Sequence, residues 1–151
     1  MRNPVEHPAE RAVHCRDEGA TLALAAEVAR TLRPGDVVAL RGDLGAGKTA
    51  FARAAVRTLT GNPGEEVPSP TFTLVQTYDT PAGTVWHFDL YRLSGPDEVF
   101  ELGWEEALAG GIALVEWPDR LGTLLPARRI DVTLESTGPE ARRVKVARLG
   151  G

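Results

Sequence analysis

Lysine is nearly missing from this chain: fifteen arginines stand against two lysines, Lys48 and Lys145. A sequence that otherwise takes arginine keeps lysine where a compact ammonium on a flexible stem is needed. Cysteine occurs once, at Cys15, which excludes an internal disulfide and a cysteine-based zinc cluster and leaves a small buried hydrophobe as its reading. Asparagine occurs only as Asn3 and Asn62, neither followed by lysine, so the N-K-x-D element that reads guanine is excluded. No apolar run approaches the ~18 residues of a membrane span. The stretch Met1 to Pro8 has no apolar signal-peptide core either, so the expected location is the cytoplasm, away from any membrane. Surplus basic charge is also missing: the formal net charge is −4, which argues against a surface built to grip nucleic acid. Any RNA is expected to be held by another chain.

What is there is ordinary for a globular protein, with 42% hydrophobic and 25% charged residues in 151. That length is one domain's worth, and such a domain buries roughly 68–70% of the surface its unfolded chain exposes. One stretch stands out. Gly42-Asp43-Leu44-Gly45-Ala46-Gly47-Lys48-Thr49 matches G-x-x-x-x-G-K-[ST], the P-loop, at every fixed position. Its flanks are those the motif requires. Asp36-Val37-Val38-Ala39-Leu40 is a short β-branched run suited to a buried strand, and residues 50–57 are rich in helix formers. Glycines at 42, 45 and 47 let main-chain N–H groups converge on a polyphosphate with no Cβ in the way. The helix starting near Lys48 aims its positive end at the same anion. Lys48 is suited to the β- and γ-phosphates and the Thr49 hydroxyl to Mg²⁺, so ATP and Mg²⁺ are the expected ligands, with Asp43, Leu44, Gly45, Ala46, Gly47, Lys48 and Thr49 as the cradle.

The order of elements predicts an α/β fold: a three-layer P-loop NTPase with a mixed sheet, parallel at its core and antiparallel at its margins. Residues 1–11, interrupted by Pro4 and Pro8, read as a flexible leader, and residues 12–151 as a single P-loop ATPase domain. Ala12 to Arg16 reads as a first strand. From Asp17 an apolar stripe of Thr21, Leu22, Leu24, Ala25, Val28, Ala29 and Leu32 predicts a helix closed by Pro34-Gly35. Strands are expected at Thr71 to Tyr78 and Thr84 to Leu90, joined as a hairpin by residues 79–83. In the second, alternation puts Trp86, Phe88 and Leu90 on one face and His87, Asp89 and Tyr91 on the other. Short helices follow at 96–102 and 104–108. Ile112-Ala113-Leu114-Val115 reads as a buried strand stopping at Glu116, and residues 129–134 and 143–147 as strands paired across a Gly138-Pro139 turn.

Cleavage of ATP needs a carboxylate for the metal and a group to position water. Two acids stand where strands end, Asp89 and Glu116, and the hydrophobic run before each resembles a Walker B element, which leaves open which of them touches the metal directly. Both are expected in or beside the Mg²⁺ shell, which makes Thr49, Glu116 and Asp89 the metal set. Glu116 and Asp89 are the catalytic pair, with Glu116 the better placed to orient water. His87 reads as a core or surface histidine and Trp117 as packing. Tyr78, Tyr91 and Arg92 suit a nucleotide pocket and sheet-edge packing equally well.

Taken in order, the P-loop, Val67-Pro68-Ser69-Pro70-Thr71-Phe72, His87-Phe88-Asp89-Leu90-Tyr91-Arg92-Leu93 and Val115-Glu116-Trp117-Pro118 resemble the TsaE (YjeE) family over roughly residues 21–134. The resemblance implies a small Mg²⁺-dependent ATPase, partner-dependent and slow alone, required for threonylcarbamoyl modification (t6A) of the adenosine next to the anticodon in tRNA. It implies action with the TsaD and TsaB proteins, touching tRNA only through that complex. Carried across by position, it makes Ser69, Pro70 and Thr71 a switch-like segment sensing the γ-phosphate, with Thr71 among the nucleotide contacts and Asp89 and Glu116 as essential acids. A proline-bounded stretch that orders around a phosphate and relaxes on its loss is physically consistent with that role. The adenine contacts are expected near the first helix and one of the last strands.

Two other readings share the P-loop. A small-molecule P-loop kinase needs an arginine-bearing lid, and here Arg120 is the only basic residue between Glu116 and Pro126. The other is a nucleotide-dependent binding module without turnover.

Overall fold

A computed structural model describes residues 10–150. One seven-stranded sheet organises them. Its strands are β1 (Glu10–Cys15), β2 (Val37–Arg41), β3 (Val75–Thr80), β4 (Gly83–Asp89), β5 (Ile112–Glu116), β6 (Arg129–Ser136) and β7 (Arg142–Leu149), in the order β1-β7-β6-β2-β5-β4-β3. β2 runs parallel to both β5 and β6, and β4 parallel to β5, while β3, β7 and β1 join antiparallel at the margins. The mixed sheet with a parallel centre is the architecture expected.

Strand alternation sorts the core into two layers. Val38, Leu40, Ile112, Leu114 and Val85 point to the side covered by helices α1 (Glu18–Ala29) and α2 (Lys48–Thr60). Val37, Ala113, Val115 and Phe88 point to the other side, under α3 (Trp104–Gly110) and 3-10 turns at Pro96–Leu102 and Pro118–Leu124. The parity continues to the strand ends. His87 and Asp89 follow Val85, and Glu116 follows Ile112 and Leu114, so all three side chains sit on the α2 side of the sheet.

Local chemistry sets the boundaries. Asp17 caps α1 by accepting the Ala20 N–H at 2.8 Å. All of the expected stripe but Leu22 is buried, and Cys15 is a buried core residue as read. α2 ends on Gly61 in the left-handed conformation.

Three expectations need correction. Residues 1–9 of the leader lie outside the described part, but Glu10 and Arg11 are strand, paired with Ala147 and Val146 of β7. Residues 71–74 are a turn rather than strand, because Leu74 takes a left-handed φ of 68° and returns its N–H to Pro70 O at 2.7 Å. The hairpin turn is Pro81-Ala82, shorter than residues 79–83, with the Thr80 hydroxyl bonding across it to Gly83 O at 2.7 Å.

Candidate functional site

The carboxyl ends of parallel strands are where ligands meet an α/β sheet, because helix N-termini point there and side chains do not fill the crevice. In this chain the register aligns three strand ends: Leu40 of β2 lies beside Glu116 of β5, and Glu116 beside Asp89 of β4. The chain leaves β2 into the P-loop and turns helical at Lys48, the first residue of α2, so the loop lines one cleft with the two acids. Gly45 and Gly47 take φ of 81° and 107°, conformations that disfavour side chains.

One cleft of about 290 Å³ is lined by Leu44, Gly45, Gly47, Lys48, Thr49, Thr71, Asp89 and Glu116, with Ala50, Tyr91 and Trp117. Eight residues expected at the site therefore meet in one place. Asp43 and Ala46 do not line it. They face a larger groove of about 640 Å³ against β6 and β7, on the other side of the loop, although the Asp43 carbonyl accepts from Lys48 Nζ at 2.9 Å. Of the aromatic and basic residues left open, Tyr91 lines the cleft and Arg92 lies over the Phe72 ring at 4.9 Å. Tyr78 packs on the α1–α2 core instead.

Glu116 is only 2% exposed, and a carboxylate taken so far from water needs donors. It has two. The Thr49 hydroxyl lies 2.8 Å from Oε1, and His87 Nε2 lies 2.7 Å from Oε2. A carboxylate only accepts, so His87 donates through Nε2, and its Nδ1 has no partner among the described residues. His87 is thus neither a surface residue nor a satisfied core one: it is fully buried against an expected catalytic acid. The signal for this was its place on the Asp89 face of β4.

Asp89, 6% exposed, accepts the Tyr91 N–H at 3.1 Å. Burial pushes its carboxyl above the ordinary 3.8; the Tyr91 hydrogen bond opposes that rise and the nearby Glu116 charge adds to it. Burial likewise draws the Lys48 ammonium below its usual 10.5, against the pull of Glu116, Asp89 and Asp43. Its Nζ rests near the Gly42 carbonyl and 4.1 Å over the Trp117 ring. Trp117 therefore does more than pack. Its backbone is left-handed, φ 60° and ψ 53°, directly before Pro118, a conformation costing about 1–2 kcal/mol that turns the ring onto the ammonium.

The Asp89 shift has a thermodynamic consequence. A carboxyl whose pKa is higher folded than unfolded holds its proton more tightly when folded. Its stabilising share is complete below about pH 3.8 and is lost as pH rises through the folded value. Asp89→Asn, neutral throughout, is expected to melt progressively higher than the unaltered protein as pH rises from 4 to 8 in magnesium-free, nucleotide-free buffer. A melting difference that stays constant over that range contradicts the shift.

The donor set suits a hard cation: a threonine hydroxyl and two carboxylates, all oxygen, beside a phosphate-binding loop. Thr49, Glu116 and Asp89 are of the kind Mg²⁺ takes, and all three line the one cleft.

With the geometry in hand, comparison with known proteins is specific. Residues 15–144 match the family model described as threonylcarbamoyl adenosine biosynthesis protein TsaE. The tRNA threonylcarbamoyladenosine biosynthesis protein TsaE of Rickettsia felis is 47% identical over 119 residues, covering 79% of this chain and 69% of that protein. Its Bacillus subtilis namesake is 36% identical over 131 residues, covering 86% and 80%. The crystal structure of B. subtilis YdiB superposes with a TM-score of 0.74 at 30% identity, covering 93% of this chain and 86% of that one. A match spanning the P-loop, both acidic strand ends and most of the sheet places this chain in the TsaE family.

Proposed function

We propose that the protein is a cytoplasmic, Mg²⁺-dependent ATPase of t6A biosynthesis that works with the TsaD and TsaB proteins and meets tRNA only through them. The observation that carries this reading is the chain Thr49–Glu116–His87, held at 2.8 and 2.7 Å under the P-loop. A loop that merely bound phosphate would have no use for a buried, doubly hydrogen-bonded carboxylate at that place. Among the described residues no helix is long and apolar enough to cross a membrane.

In this reading Lys48 leaves its carbonyl partners for the β- and γ-phosphates, and the amides at 45–49 cradle the same anion. Thr49, Glu116 and Asp89 would hold Mg²⁺, which when bound would neutralise charge on the phosphate oxygens. Glu116, fixed by His87, accepts a hydrogen bond from the attacking water and so aims its lone pair at the γ-phosphorus. The P–O bond to the leaving ADP breaks as the water oxygen bonds to phosphorus, and the water's proton passes to Glu116 and from there to the released phosphate. Burial disfavours the charged form of the Asp89 carboxyl, and a cation held beside it would favour that form. Thr71, at the mouth of the cleft and joined to Ser69 by hydroxyls 2.8 Å apart, is the γ-phosphate sensor. The adenine enters a cleft of about 190 Å³ between Glu18, Thr21 and Leu22 of α1 and, opposite them, Pro139 and Glu140 of the β6–β7 turn with Arg142 at the start of β7.

The test is phosphate release from ATP by this protein alone and with TsaD and TsaB. Slow release alone and a rise of at least about tenfold with the partners is expected. No release in either condition favours the binding module, and phosphate transferred to a small metabolite favours the kinase.

A further inference from the structure

Arg142 belongs to no motif, yet it is the residue that ties the C-terminal hairpin to the phosphate loop. It opens β7, where its backbone is paired on both sides, with Cys15 of β1 and Ser136 of β6. From that anchored position its guanidinium reaches across 96 residues of sequence. Nε donates to the Ala46 carbonyl at 2.7 Å and Nη2 to the Gly45 carbonyl at 3.4 Å. Nη1 holds its own turn through Ala141 O at 2.8 Å and Gly138 O at 3.4 Å.

The consequence follows from peptide geometry. In a planar trans peptide the C=O and the following N–H point in opposite directions. Pinning the Ala46 carbonyl outward, toward Arg142, therefore turns the Gly47 N–H to the opposite side, where the loop's amides gather. Gly47, at φ 107°, has no side chain of its own to hold that orientation. The guanidinium is permanently charged and its planar fork is rigid, so Nε and Nη2 hold two loop carbonyls in fixed directions while Nη1 holds the turn, a spread that the single nitrogen of an ammonium does not cover.

We propose that Arg142 is a positioning residue for triphosphate binding, presetting the amides of the P-loop from behind, so that nucleotide affinity depends on the β6–β7 hairpin. This rests on the P-loop binding the phosphates, as above. It assigns Arg142 an effect on the phosphates as well as its place beside the adenine cleft, and the two are separable with a ligand that has no base.

Calorimetric titration with Mg–ATP and with Mg–tripolyphosphate, on the full chain and on Arg142→Gln and Arg142→Lys, tests it. Arg142→Gln is expected to weaken both ligands by a similar factor, at least about tenfold. Arg142→Lys, which keeps the charge and stem but not the fork, is expected to weaken both by at least about threefold. It also decides the matter if the glutamine variant does not fold. Unchanged tripolyphosphate affinity in a folded variant overturns the proposal, and so does a loss confined to ATP, which would assign Arg142 to the base alone. Failure of the unaltered protein to bind either ligand would instead overturn the P-loop reading itself.

Discussion

Glu116→Gln is expected to lower partner-stimulated ATP turnover by at least about 100-fold, the scale on which a positioned proton acceptor acts, while the protein still folds and still binds ATP. The substitution is isosteric but changes what the site can accept. The carboxylate takes one hydrogen bond on each oxygen, from Thr49 at 2.8 Å and His87 at 2.7 Å. A carboxamide offers one acceptor and one donor, so one of those partners is left facing an N–H. His87 can relieve this by moving its proton to Nδ1, which lies unpartnered among the described residues. Removing a buried charge offsets part of the lost hydrogen bonding, so the melting temperature should move by only a few degrees. The turnover loss comes instead from the missing lone pairs and the missing negative charge beside the metal. The check pairs phosphate release with TsaD and TsaB against a thermal melt. Undiminished release in a folded Glu116→Gln protein would remove that carboxylate from the chemistry.

The second large effect is expected at the loop's first glycine. A Cβ on Gly42 would sit 2.7 Å from the Leu134 carbonyl and 3.1 Å from the Ala46 Cβ, at a φ of 150°. The carbonyl cannot give way easily, since Leu134 lies within β6, paired with Val144 and followed by two more paired residues. Gly42→Ala must therefore push the start of the P-loop off the sheet, at a cost of about 3 kcal/mol or more. For a chain of this size that corresponds to a melting temperature lower by roughly 6–12 °C. ATP affinity should fall with it, because the amides that follow are displaced. Gly45→Ala is the built-in comparison: its Cβ meets nothing within 4 Å, so only the left-handed backbone penalty of about 1–2 kcal/mol applies. If the two alanine variants melt at the same temperature, close packing of the loop on β6 is not what demands glycine at position 42.

Much of this site was legible before any fold was known. The P-loop is a local object: its glycines, lysine and threonine act within eight residues. Alternation along residues 85–91 was enough to put His87 with Asp89, and a run of four apolar residues was enough to deliver Glu116 to a strand end. What alternation could not say is that the two faces belong to neighbouring strands. Only the β4–β5 register, with Asp89 opposite Glu116, brings His87 within reach of Glu116. Alternation alone makes His87 an ordinary histidine and Trp117 ordinary packing; the fold is what sets the Lys48 ammonium against the Trp117 ring. The strand expected over residues 71–74 failed because its composition favours strand, while the turn is dictated by the left-handed Leu74, whose carbonyl then takes the Asp89 N–H at 2.9 Å. That preference comes from a partner strand and not from the residues themselves.

The sequence by itself determined the phosphate loop, the parity of its strands and the two acids, because each depends on residues a few positions apart. The tertiary structure alone decided which acid His87 holds, and that Arg142, from the far end of the chain, grips the loop's carbonyls. An arginine on a half-exposed strand carries no local mark of its partner. Contacts spanning 29 and 96 positions depend on strand order and register, which pattern and spacing leave undetermined.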